Sequence, residues 1–96
     1  MTTFVVFGLN NITDEAGLRD YQAAGMESLQ GRNVKMAAGP GTITTLEGEP
    51  FFPFVILEFP SRAEAEDWYN SDAYQKAKAI RLRSADSFAL MVDANG

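Results

Sequence analysis

The segment 51–64, FFPFVILEFPSRAE, joins the strongest strand pattern of the chain to its clearest helix start. Residues 51–59 place large apolar side chains on both sides of an extended chain, which is typical of a strand covered on two faces. Pro60 ends this strand, and Ser61 together with Glu64 forms a capping box that predicts the first turn of a helix. The segment therefore predicts a strand that leads directly into a helix.

The rest of the chain supplies the other elements of a β-α-β-β-α-β order. Residues 3–9 predict a second strand with two apolar sides, and a helix of about four turns follows it, with Thr13 as the expected N-cap. Gly31 is expected to end that helix in a left-handed conformation. The strands are completed by residues 33–38 and, after the second helix, by residues 86–93.

The second helix is predicted in two pieces that meet near Ser71, which can cap the second piece. Trp68 and Tyr69 lie on the apolar face of the first piece. The spacing of small and apolar residues predicts the buried stripe of the second piece as Ala73, Ala77, Ile80 and Ser84.

Two β-α-β units with right-handed crossovers predict an α+β fold of ferredoxin-like topology, with a four-stranded antiparallel sheet and both helices on one face. The first and third strands are expected at the centre. Because these strands are apolar on both sides, a monomer would expose a large apolar face. A second copy packed sheet to sheet would cover it, so we expect a homodimer in which each chain is a single domain, 1–96.

The composition excludes several classes of chemistry. The 96 residues include no cysteine and no histidine, so thiolate nucleophiles, zinc sites and the commonest general base are absent, and we expect neither a cofactor nor a metal site. A net charge of -5 disfavours binding to nucleic acid and to anionic membranes. The start of the chain has no signal-peptide pattern and no span of membrane length, which predicts a cytoplasmic protein.

Several short motifs carry a resemblance to a known family. They are LEFPS at 57–61, WYNS at 68–71, the pair Tyr74 and Gln75, then Arg81 and Ser84. In their order and spacing the chain resembles the family called domain of unknown function 1330, in the dimeric α/β-barrel superfamily. The resemblance implies a ferredoxin-like domain that dimerises through its sheet, and it implies no settled activity. One departure is Met36, near where the family often has an arginine.

Glu58 and Arg81 are the candidate catalytic residues. Glu58 shares a strand side with apolar residues, where a carboxylate needs a partner. One interpretation places both residues at the rim of a cleft between sheet and helices, with Glu58 as an acid, base or orienting group and Arg81 as an anion clamp. The alternative is a structural ion pair that ties the third strand to the last helix.

The candidate ligand-binding residues are aromatic and polar. Tyr74 and Arg81 are seven residues apart on one helix, which puts a hydroxyl beside a guanidinium and suits a carboxylate or an enolate. The same aromatic residues could equally be core. The full candidate set for the pocket is Tyr21, Trp68, Tyr69, Asn70, Ser71, Tyr74 and Ser84.

Three functions remain open from the sequence. The first is a homodimeric protein that binds a small anionic or phenolic molecule between sheet and helices. The second is a cofactor-independent isomerase, lyase or monooxygenase, and the third is a structural or partner-binding dimer without a ligand. A cavity that holds Tyr21, Trp68, Tyr69 and Arg81 would favour the first two, whereas a solid core would favour the third.

Overall fold

The computed structural model describes residues 1–39, 41, 43–49 and 54–95. In chain order its elements are β1 (Thr3–Ile12), α1 (Glu15–Ser28), β2 (Lys35–Ala38), β3 (Val55–Phe59), α2 (Arg62–Tyr69), α3 (Asp72–Ser84) and β4 (Ala85–Asp93). This is the predicted order, with the second helix in two pieces. The predicted start of the third strand, residues 51–53, lies outside the described residues. None of the described helices is long and apolar enough to cross a membrane.

The four strands form an antiparallel sheet in the order β2-β3-β1-β4, which is the ferredoxin-like arrangement. As predicted, β1 and β3 occupy the centre. The register places Val5 of β1 opposite Leu57 of β3 on one side and opposite Met91 of β4 on the other. These three side chains therefore point to the same face.

The two faces of the sheet have different surroundings. The face that the helices cover contains the buried residues of the central strands: Val5, Phe7, Leu9, Leu57 and Phe59. The opposite face, the open face, carries the alternate positions: Phe4, Val6, Ile56, Glu58, Leu90 and Val92. On the open face Leu90 is 57% exposed. The sheet thus has the two apolar sides that its strand patterns predict.

An aromatic cluster fills the space between α2, α3 and the sheet. The Trp68 ring lies 4.2 Å from the Tyr74 ring and 5.4 Å from the Phe59 ring, centroid to centroid. The Trp68 indole Nε1 donates a hydrogen bond to the Ser28 hydroxyl at 3.0 Å, so its one polar atom is satisfied. Burying each of these side chains contributes about 1.5–3 kcal/mol to stability.

The N-cap of α1 is Asp14 and not Thr13, so that prediction is wrong. The Asp14 carboxylate accepts a hydrogen bond from the Gly17 N–H at 3.0 Å, and its charge also favours the positive end of the helix dipole. Thr13 instead donates its N–H, at 2.8 Å, and its hydroxyl, at 3.2 Å, to the Ser84 carbonyl at the end of α3. Gly31, after the helix, has a φ of 77°, as its predicted left-handed conformation requires.

The predicted buried stripe of α3 is confirmed at Ala77 and Ser84 and is wrong at its other two positions. Its buried residues are Tyr74, Ala77, Arg81 and Ser84, whereas Ala73 is exposed and Ile80 is only half-buried. The helix is rotated so that the Tyr74 ring joins the aromatic cluster. Burying the Tyr74 ring stabilises the protein more than burying Ala73 and Ile80 would. Because Arg81 lies on the same side of α3 as Tyr74, the rotation also turns the Arg81 guanidinium away from water.

Ser61 caps α2 as predicted. Its hydroxyl accepts a hydrogen bond from the Glu64 N–H at 3.2 Å and donates to the Glu64 carboxylate at 3.3 Å. The next residue, Arg62, contacts Asp93 of β4 at 3.1 Å, and Asp93 also accepts from the Thr3 hydroxyl at 2.9 Å. The hydrogen bond from Thr3 and then the contact with Arg62 lower the pKa of Asp93 below its usual range.

Replacing Ser61 with alanine should lower the free energy of unfolding by about 1 kcal/mol, because the first turn of α2 loses its capping acceptor. Ser87→Ala is the matched control, since the buried Ser87 hydroxyl has no hydrogen-bond partner among the described residues. Removing that hydroxyl should leave stability unchanged or raise it. Urea unfolding followed by circular dichroism measures both, and equal losses for the two variants would contradict the capping argument.

Candidate functional site

A cavity of about 310 Å³ lies between α1 and the helix-covered face of the sheet. It exists because α1 packs along α3 and stands away from the strands. The walls from the sheet are apolar, as are most of those from the helix. Those contributed by the strands include Phe7, Leu9, Val55 and Leu57, and those contributed by α1 include Leu18, Gly25 and Met26.

This space, the α1 cavity, has a buried inner end and an exposed mouth. Trp68, Tyr74 and Arg81 form the inner end and are almost completely buried. Met26 and Met36 also line the cavity, and they are 57% and 49% exposed. A molecule that entered between the two methionines would therefore leave water as it moved towards Arg81.

Arg81 brings a cation to the inner end of the cavity. It is only 4% exposed, and its Nη1 donates a hydrogen bond to the Tyr74 hydroxyl at 3.0 Å. Its guanidinium carbon lies 5.1 Å from the centroid of the Phe7 ring and 5.8 Å from that of the Tyr21 ring. These aromatic contacts are attractive for a cation, but they do not replace hydrogen-bond acceptors.

Arg81 has no carboxylate partner among the described residues. Every aspartate and glutamate side chain of the sequence falls within those residues, and the ion pairs formed there use Arg32 and Arg62 instead. The Arg81 Nε is buried and makes no hydrogen bond to any of the described residues. A buried charge with unused donors is costly unless an anion or another acceptor satisfies it.

Two tyrosine hydroxyls extend the set of donors into the cavity. The Tyr21 and Tyr74 oxygens are 3.2 Å apart. Because the Tyr74 oxygen accepts from Arg81, its own hydrogen can be donated to Tyr21, which leaves the Tyr21 hydroxyl free to donate into the cavity. Burial, reinforced by Tyr21, raises the pKa of Tyr74 well above its usual range, so Tyr74 stays protonated.

The described polar side chains that line the cavity, Tyr21, Gln22, Tyr74 and Arg81, can all donate hydrogen bonds, and Arg81 can only donate. Among the described residues that line it, none is an aspartate, a glutamate or a lysine. Donors of this kind suit an oxyanion, and the described lining residues include no group that is suited to abstract a proton at neutral pH.

The family model for "Domain of unknown function (DUF1330)" matches residues 2–95. The chain belongs to the DUF1330 family. This confirms the resemblance that the sequence motifs carry. No curated protein matches the chain.

Solved structures share the fold of this DUF1330 protein at low sequence identity. A protein of unknown function from Rhodopseudomonas palustris has a TM-score of 0.70 and 18% identity, with 99% of this chain and 83% of that chain covered. A dimeric ferredoxin-like protein of unknown function from Jannaschia sp. CCS1 has a TM-score of 0.66 and 12% identity, with 98% and 100% covered. SnoaB, a cofactor-independent oxygenase from Streptomyces nogalater, has a TM-score of 0.61 and 8% identity, with 99% and 93% covered. These likenesses show the fold alone.

The structure of the DUF1330 protein brings four of the predicted site residues to the α1 cavity: Tyr21, Trp68, Tyr74 and Arg81. Tyr69 is not among the lining residues. It packs against the outside of the aromatic cluster, with the Lys78 ammonium 5.2 Å from its ring centroid. Trp68 forms a wall of the cavity rather than a polar contact, because its Nε1 is bonded to Ser28.

The other predicted polar contacts serve the ends of helices. Asn70 is the exposed C-cap of α2. Ser71 is the N-cap of α3, where its hydroxyl accepts from the Tyr74 N–H at 3.2 Å and donates to the Trp68 carbonyl at 2.6 Å. The Ser84 hydroxyl donates to the Ile80 carbonyl at 2.7 Å. None of these three lines the α1 cavity.

Glu58 and Arg81 are not brought together. Glu58 stands between Leu57 and Phe59 in β3, and those two neighbours point towards the helices. Because side chains alternate along a strand, Glu58 lies on the open face, where its register partner in β1 is Phe4. The ion pair of the alternative interpretation, which would tie β3 to the last helix, is not formed between these two described residues, and Arg81 lies at the buried inner end of the cavity rather than at a rim.

Sequence reasoning missed the residues that make the cavity open, and Gly25 is the clearest of them. It lies in the interior of α1, where glycine is less favourable than alanine by about 1 kcal/mol. A glycine at such a position indicates either close packing or a need for space. Here a methyl group added at Gly25 would meet nothing within 4 Å.

The raised pKa of Tyr74 predicts a loss of stability in alkali. In the unfolded chain this tyrosine ionises near the ordinary pKa of about 10, whereas in the folded protein it stays protonated. The folded state then holds more protons above that pH, so the free energy of unfolding falls as the pH rises through and beyond it.

Urea unfolding at pH values of about 8 and about 10.5 tests this, because the two lie on either side of the ordinary tyrosine pKa. We expect the fall in unfolding free energy between them to be smaller for Tyr74→Phe than for the wild type. Phe7→Leu weakens the same cluster without removing a hydroxyl, and it should keep the wild-type fall. Identical pH dependence in Tyr74→Phe and the wild type would contradict the assignment.

Proposed function

We propose that this DUF1330 protein binds a small organic anion, a carboxylate or a phenolate, in the α1 cavity with Arg81 as its counter-ion. The observation that supports this is the burial of Arg81 at the inner end of the cavity without a carboxylate partner among the described residues. An oxyanion there would accept the hydrogen bonds that the guanidinium does not make with the described residues.

The surroundings of Arg81 favour an anion over a neutral molecule. The apolar walls exclude water, which strengthens a hydrogen bond between charged groups. A guanidinium presents its donors in a planar fork that matches a carboxylate. The Tyr21 hydroxyl could add a further donor on the side of α1. The net charge of the whole chain is -5, which disfavours anions, so the preference for an anion is a property of the cavity and not of the whole surface.

Of the three functions that the sequence left open, the geometry supports binding best. A protein with only a structural role has no need for a cavity of about 310 Å³ next to a buried cation that no described carboxylate pairs with. A cofactor-independent enzyme is supported only by a fold shared with proteins such as SnoaB, and the described lining residues provide donors but no carboxylate, lysine or histidine as a base. A ligand that arrives already ionised suits these donors.

We further propose that two copies pair through their open faces. Phe4, Val6 and Ile56 lie there beside the exposed Leu90 and Val92, and they form an apolar surface, with Glu58 next to Phe4 as its charged residue, that no helix covers in the described part of the chain. A second copy offers a face of the same shape and character. The structural neighbour from Jannaschia is described as a dimeric ferredoxin-like protein, which supports this arrangement.

Arg81→Met should weaken the binding of naphthoate, an aromatic carboxylate, about ten- to hundredfold, because the ligand loses its charge-assisted hydrogen bonds. Arg83→Met is the matched control. It removes the same charge from the same helix at an exposed position, and it should bind as the wild type does. Isothermal titration calorimetry gives the dissociation constants, and circular dichroism shows whether each variant is folded.

Naphthamide, which has the same rings and no charge, separates recognition of the anion from burial of the rings. The wild type should prefer naphthoate, and Arg81→Met should lose that preference. Equal binding of naphthoate by the wild type and by folded Arg81→Met would show that Arg81 is not the counter-ion of the ligand.

Leu90→Glu should convert a dimer into a monomer, since it places a charge within the apolar open face. Leu82→Glu is the control, because Leu82 on α3 is 59% exposed, close to the 57% of Leu90, but lies away from the sheet. Sedimentation velocity at micromolar concentration should show dimers for the wild type and Leu82→Glu and monomers for Leu90→Glu. A monomeric wild type would rule out the pairing, and a dimeric Leu90→Glu would place the interface elsewhere.

A further inference from the structure

Gly25 borders the α1 cavity one helical turn beyond Tyr21, whose hydroxyl reaches the inner end. A methyl group built on Gly25 would meet nothing within 4 Å, so the glycine is not required by close packing. Its backbone conformation does not require glycine either, since it lies within a regular helix. Because glycine has no side chain, the cavity is open between Arg81 and the mouth.

The size of the cavity indicates the size of the ligand. An apolar cavity of about 150 Å³ is sufficient to hold benzene. The α1 cavity, at about 310 Å³, is about twice as large. A ligand that fills it would therefore have an apolar body of about two rings, or an alkyl chain of similar volume.

The charges of the cavity limit the ligand to one anionic group. Arg81 is the single cation among the described lining residues, and the remaining walls are largely apolar. A second anionic group on the ligand would be buried without a partner, which is unfavourable. The flexible side chains of Met26 and Met36 at the mouth can adapt to the end of an apolar body.

Resting on the proposed function, we infer that the ligand is an amphipathic monoanion. Its charged head would lie at Arg81 and its apolar body, about the size of two rings, would pass Gly25 towards Met26 and Met36. Gly25 would then be the residue that determines how large a body the cavity accepts.

Calorimetric titration with benzoate and naphthoate tests this inference, because the two carboxylates share a head and differ by one ring. Gly25→Leu should bind benzoate within about twofold of the wild type and naphthoate about tenfold or more weakly, since the new side chain occupies the space of the second ring. Ala23→Leu is the matched control, because Ala23 is an exposed residue of the same helix that does not line the cavity. It should bind both carboxylates as the wild type does.

Gly25→Ala provides a smaller change if the leucine variant does not fold. Alanine favours the helix, so this variant should melt at a higher temperature than the wild type and still bind naphthoate less tightly. A naphthalene dicarboxylate tests the limit of one charge, and the wild type should bind it more weakly than naphthoate.

The outcomes separate the inference from the function on which it rests. The inference is overturned, and the function stands, if Gly25→Leu retains naphthoate binding, if it weakens benzoate as much as naphthoate, or if the dicarboxylate binds as tightly as naphthoate. A wild type that binds neither carboxylate overturns both. Unchanged binding in Arg81→Met overturns the role of the counter-ion whatever the Gly25 variants show.

Discussion

The packing of the Tyr74 ring against Trp68 is the contact on which much of this structure depends. Trp68 ends the apolar face of α2 and Tyr74 begins that of α3, so their contact holds both pieces of the divided helix on the sheet. The same packing buries the Tyr74 hydroxyl, which accepts from Arg81 and thereby holds the guanidinium at the inner end of the α1 cavity. A contact between core residues thus also positions Arg81, which is the only charged residue among the described residues that line the cavity.

Much of the fold follows from local patterns in the sequence. The apolar sides of the central strands and the cap at Ser61 were sufficient to predict the element order, the places of β1 and β3 and the start of α2. These features depend on neighbours in the chain. The rotation of α3 was not predictable in this way, because the stripe of Ala73 and Ile80 is as regular as the one that is buried. The choice depends on burial of the Tyr74 ring, which involves residues distant in sequence.

The candidate site was predictable only in part, for a similar reason. The seven-residue spacing of Tyr74 and Arg81 was enough to place a hydroxyl beside a guanidinium. The pairing of Glu58 with Arg81 was wrong because it required knowledge of which side of β3 the helices cover. The cavity itself is a distance between α1 and the sheet, and no local pattern encodes such a distance. Its trace in the sequence is Gly25, a helix interior position without the usual side chain.

The pairing of β1 with β4 has a consequence for how the chain folds. A central strand at the beginning of the sequence is bonded along its length to the last strand, so that Thr3 and Asp93 lie opposite each other across 90 positions of sequence. Contacts between such distant residues form only after a long loop has closed, so the entropy cost of loop closure comes before any stabilisation from the contacts. This order slows folding. During synthesis on the ribosome, β1 must wait for the last strand to emerge. Until then, β1, which is a central strand of the finished sheet, has no partner strand along one of its edges.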